Sequence, residues 1–136
     1  LTKGLRFSSV WSVGNSKQIG VEEVIEYMDR NFDPVLDSKI KMLYIEQIKN
    51  PDKLLYHASS LIRKGCHIAA IKAGSTDVGK RAASSHTGAI ANSDSAVEAL
   101  FRKAGIVRCF SREELTSDRY YRYRYSRTFG HRYRFL

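Results

Sequence analysis

The chain has 136 residues, 43% of them hydrophobic and 27% charged, a globular rather than a disordered overall balance that fits one compact domain. It holds no run of about 18 apolar residues to span a bilayer, and Leu1-Thr2-Lys3-Gly4 lacks the layout of a secretory leader, so a cytoplasmic protein without a membrane partner is expected. The net charge of +9 is lopsided: residues 1–118 carry +3, and Arg119, Arg122, Arg124, Arg127, Arg132 and Arg134 supply the other +6.

Taken in chain order, Phe7 to Val13 is β-branched and aromatic and ends at the turn pair Gly14-Asn15, which predicts a first strand. Val21 to Asn31 places Val21, Val24, Ile25 and Met28 on one face at helical spacing, closed by Asp33-Pro34. Ile40 to Ile45 predicts a second strand that delivers Glu46 at its carboxyl end. Pro51 suits the first turn of a second helix, which presents Leu54, Leu55, Ala58, Leu61 and Ile62 and stops at Gly65. His67 to Ile71 is a nearly all-apolar third strand, the pattern of a strand covered on both faces. A Gly/Ser/Thr-rich loop follows from Ala73 to Asn92. Ser93 or Ser95 then caps a helix through Ala104, Gly105 ends it, and Ile106 to Phe110 predicts a fourth strand. Ser111-Arg112-Glu113-Glu114 begins one more helix.

Strand and helix alternate, and a parallel crossover needs a helix to bridge it, so the expected fold is α/β: a three-layer parallel sheet with helices on both faces. Ligands of such sheets collect beyond the carboxyl ends of the strands. Gly14-Asn15, Glu46 and the loop after Ile71 all fall at that edge. Cys66 and Cys109 sit among apolar residues with no metal-binding spacing, and are read as buried, reduced core thiols.

Beyond Asp118 the composition changes to a stretch dominated by Arg and Tyr, with no acidic residue and no lysine. Residues 116–136 are read as a basic tail that is non-native or disordered. The alternatives for the function of the chain are a nucleic-acid binder acting through residues 119–136, in which Arg binds phosphate and Tyr stacks on bases, and a non-catalytic α/β interaction domain. Nucleic acid is not the expected partner.

Two runs could carry chemistry. Gly74 to Lys80 spells G-x-x-x-x-G-K, but a phosphate loop needs Ser or Thr next to hold Mg²⁺, and Arg81 has no lone pair for a metal. Ser84-Ser85-His86-Thr87-Gly88-Ala89 is the stronger candidate. An imidazole among small and hydroxylated residues titrates near neutral pH and can hold a transferred group as a nucleophile. Ser85, Thr87 and Gly88 would cradle a phosphate, with Gly88 allowing close backbone approach. Glu46 is the natural carboxylate to accept from one ring nitrogen and leave the other free to react. No metal ligands are expected.

The runs GLRFSSVWSVGN (Gly4 to Asn15), YIEQI (Tyr44 to Ile48), IKAG (Ile71 to Gly74) and KRAASSHTGAIANSD (Lys80 to Asp94) together resemble the flavodoxin-like second domain of NDP-forming acyl-CoA synthetases. These are relatives of the succinyl-CoA synthetase α chain. The resemblance implies an incomplete flavodoxin-like domain over residues 1–115. It implies that His86 is phosphorylated during turnover and that Glu46 holds it. For the whole enzyme it implies CoA, ADP or ATP, and Mg²⁺, none of them bound by this fragment alone. It also implies two partners in the same enzyme, a CoA-binding Rossmann domain and an ATP-grasp domain or subunit. The fragment alone is expected to be inactive.

Overall fold

The structure, a computed structural model, describes residues 7–13, 19–74 and 93–117. Helix α1 spans Val21–Arg30, α2 Pro51–Arg63, α3 Asp94–Ala104 and α4 Arg112–Leu115; strand β1 spans Ile40–Ile45, β2 His67–Lys72 and β3 Val107–Cys109. The strands form one parallel sheet in the order β1-β2-β3. Ile40 stands opposite His67 and Ile45 opposite Lys72, while Ala69 pairs with Val107 and Ile71 with Cys109. The carboxyl ends of β1 and β2 are therefore level.

Local chemistry sets the element ends. Asn50 accepts from the Lys53 amide to cap α2, with Pro51 in the first turn where its missing N–H costs nothing. Ser93 accepts from the Ala96 amide to cap α3. Gly105 closes α3 at φ 85, a left-handed conformation that glycine adopts without Cβ strain.

Alternation along the strands divides the core in two. Leu43, Ile45, Ile68 and Ala70 face Ile25 of α1, Leu54, Ala58 and Leu61 of α2, and Val97, Phe101 and Ala104 of α3. Ala69, Ile71, Val107 and Cys109 face the other way and pack against Leu115 of α4. Helices thus lie on both faces of an α/β sheet, as the alternation of elements predicts. Both cysteines are buried and neither forms a disulfide; burial pushes the Cys66 thiol pKa up.

One expected element is absent as a strand. Phe7 to Val13 carries no strand ladder, and every one of its residues is exposed. Trp11 instead meets the Tyr27 ring of α1 at 5.5 Å, and a groove of about 350 Å³ lies between the segment and the edge of β1. A β-rich composition makes a strand only where another strand's edge lies within hydrogen-bond reach.

Candidate functional site

The site begins where β1 ends. Ile45 is buried, the chain bends, and Glu46 is the next residue, exposed to solvent. It lines a cleft of about 300 Å³ at the sheet's carboxyl edge, together with Trp11, Gly20, Tyr44, Gln47 and Lys49. The turn that carries Glu46 is tied at both ends. The buried Glu22 of α1 accepts through Oε1 from the amides of Lys49 and Asn50, the latter at 2.8 Å. On the other side the Lys72 ammonium donates to the Glu46 carbonyl oxygen at 2.8 Å.

Lys72 is the last residue of β2 and is buried. Its Nζ also donates to the Ala73 carbonyl at 2.8 Å, and the Ala73 amide donates to the Ile45 carbonyl at 2.8 Å. Burial pushes the Lys72 pKa down, the nearby Arg108 adds to that, and the Glu46 charge opposes it. The lysine therefore joins the carboxyl ends of β1 and β2 through main-chain oxygens.

The residues from 75 to 92, which include Ser85, His86, Thr87 and Gly88, lie outside the described residues. Both flanks of this stretch are described. Upstream stands the Lys72–Ala73 junction. Downstream, α3 starts at Asp94, and the Arg108 guanidinium, buried on β3, donates to the Asp94 carboxylate and at 3.0 Å to Glu98. Arg108 also lies over the Phe110 ring at 4.9 Å. Of the candidate residues, Glu46 is placed at the expected edge.

Two residues have no role in the sequence reading: Lys72 stands within the run IKAG but is assigned nothing there, and Arg108 shows only as a charge inside an apolar strand. Each marks a buried cation that needs oxygen partners. Among the described residues no group of His, Cys, Asp or Glu could hold a metal ion, and no helix is long and apolar enough to cross a membrane.

A parallel three-stranded sheet with helices on both faces is an α/β architecture of the flavodoxin-like class. The model of the succinyl-CoA ligase-like flavodoxin domain matches residues 1–117, and the chain belongs to that family. It is 43% identical over 109 residues to the acetate–CoA ligase [ADP-forming] of Methanocaldococcus jannaschii, a match covering 80% of this chain and 15% of the relative. It is 33% identical over 112 residues to acetate–CoA ligase [ADP-forming] I of Archaeoglobus fulgidus, covering 82% and 16%. With the α subunit of acetate–CoA ligase [ADP-forming] II of Pyrococcus furiosus it shares 32% identity over 117 residues, covering 86% and 24%. The chain thus spans between about a seventh and a quarter of the length of these relatives. No solved structure gives a significant match.

Proposed function

We propose that this chain is the phosphate-relay segment of an ADP-forming acyl-CoA synthetase, with His86 as the phosphoryl carrier and Glu46 as the carboxylate that orients it. In the overall reaction, phosphate displaces CoA from an acyl-CoA to give an acyl phosphate. The His86 imidazole takes the phosphoryl group and releases the carboxylic acid, then passes the group to ADP to form ATP. Each step breaks one bond to carbon or phosphorus and forms another, so no redox partner is needed.

The observation that carries this reading is the position of Glu46: exposed on a turn tied at both ends, at the sheet edge from which the His86 segment departs. A carboxylate there can accept from one ring nitrogen, fix the tautomer and leave the other nitrogen as nucleophile. In sequence, Ser85, Thr87 and Gly88 flank His86, and hydroxyls and a glycine are residue types that suit phosphate oxygens. The names of the relatives supply CoA and ADP as substrates. Mg²⁺ accompanies the nucleotide on the ATP-grasp partner in this reading. A CoA-binding Rossmann domain supplies the other substrate, and the setting is the cytoplasm.

A chimera tests this reading: residues 1–117 replace the matched segment of the Methanocaldococcus ligase, and ATP formation from acetyl-CoA, phosphate and ADP is followed. His86→Asn is expected to abolish turnover, and Glu46→Gln to lower it about 10- to 100-fold, the usual effect of removing a group that orients a reacting ligand. Turnover that survives His86→Asn contradicts the proposal.

A further inference from the structure

We infer that Lys72 is a positioning residue for the His86 relay, clamping the Glu46 turn to the root of the segment that carries the histidine; this rests on the function proposed above. Three observations carry it. The Lys72 ammonium is buried, yet both of its hydrogen-bond acceptors are main-chain carbonyls, those of Glu46 and Ala73, each at 2.8 Å. No carboxylate among the described residues forms an ion pair with it. Its two acceptors belong to different strand ends, one bearing the orienting carboxylate and the other opening the stretch that contains His86.

A buried cation held only by neutral oxygens is costly, because neutral acceptors offset its lost hydration less well than a carboxylate would. The neighbours in β2, Ile68 to Ile71, are all apolar and buried, so a methionine of similar length would satisfy packing at this position. What methionine cannot do is bridge two carbonyls. The ammonium supplies that bridge, and with it a fixed spacing between residue 46 and residue 73. A misplacement of about 1 Å in a reacting group is enough to cost two orders of magnitude in rate.

The test uses the chimeric ligase with Lys72→Met, Lys72→Arg, Glu46→Gln and the Lys72→Met/Glu46→Gln double variant. Lys72→Met is expected to lower kcat about 10- to 100-fold with the KM for ADP unchanged, and Lys72→Arg, which keeps a donor fork, to recover much of the loss. If Lys72 acts through Glu46, the double variant is no slower than Glu46→Gln alone. Independent, multiplying losses overturn the inference, and so does a Lys72→Met enzyme with normal kcat. Should Lys72→Met prove insoluble, Lys72→Gln, which retains a single amide donor, takes its place against the same double-variant criterion. Failure of the underlying function reads differently, as turnover that persists in His86→Asn.

Discussion

Asp29 is buried where α1 meets α2, and its carboxylate receives Lys64 Nζ at 2.8 Å and lies 2.8 Å from His57 Nδ1. Burial alone would raise its pKa. Hydrogen bonds from Lys64, His57 and Ser60 outweigh that and hold the group below the usual carboxylate range. A folded-state pKa below the unfolded one contributes stability that is present above the unfolded value, about 3.9, and is lost as pH falls through the folded value. Asp29→Asn is therefore expected to cost about 1.5–3 kcal/mol at pH 7 and progressively less below about pH 4. Urea titrations of the chain across that range measure it, and an equal penalty at both ends would contradict the charge-based account. This network was illegible in the sequence. His57 could be seen as a polar residue between Leu54 and Ala58, but its partner sits 28 residues away, and helical periodicity carries no information on which turn of α1 lies beside which turn of α2.

At the scale of elements the local signals were strong wherever a cap or glycine stop punctuated an apolar periodicity. Pro51, Gly65, Ser93 and Gly105 all mark true ends, the predicted face of α2 packs inward, and of the predicted α1 face Val21, Ile25 and Met28 reach the core while the buried Glu22 and Asp29 lie off it. Ser93→Ala should cost about 1 kcal/mol through the lost acceptor for the Ala96 amide, and Gly105→Ala about 1–2 kcal/mol because Cβ opposes the left-handed conformation. Chemical denaturation midpoints check both; a neutral Ser93→Ala would mean that α3 starts elsewhere. Phe7 to Val13 shows where local reading fails. Its composition favours a strand, but strand formation is a two-body property, and the segment lies across a groove from β1 instead of on its edge. The candidate site was legible in part for the same reason. Glu46 follows from strand length and edge geometry, whereas the Lys72 bridge depends on β1 and β2 ending level, a matter of inter-strand register.

For the whole molecule, the family match ends at residue 117, just before the Arg/Tyr-rich stretch. Deleting residues 119–136 lowers the formal net charge from +9 to +3. It is expected to leave the urea midpoint unchanged while removing any salt-sensitive retention on a polyanion column. A lower midpoint would show that the tail packs on the domain. On the proposed function, the sheet, its three larger helices and the two tied flanks serve as a scaffold whose purpose is to present His86 to chemistry supplied by other domains. That purpose is tested most directly by trapping the phosphoryl group itself. The chimeric ligase is exposed to radiolabelled ATP and Mg²⁺ without acyl acceptor and then quenched in alkali, where a phosphoramidate survives. The account predicts label that is acid-labile, located by mass spectrometry on His86 and absent from His86→Asn; label of equal amount in His86→Asn, or located on another residue, would contradict it.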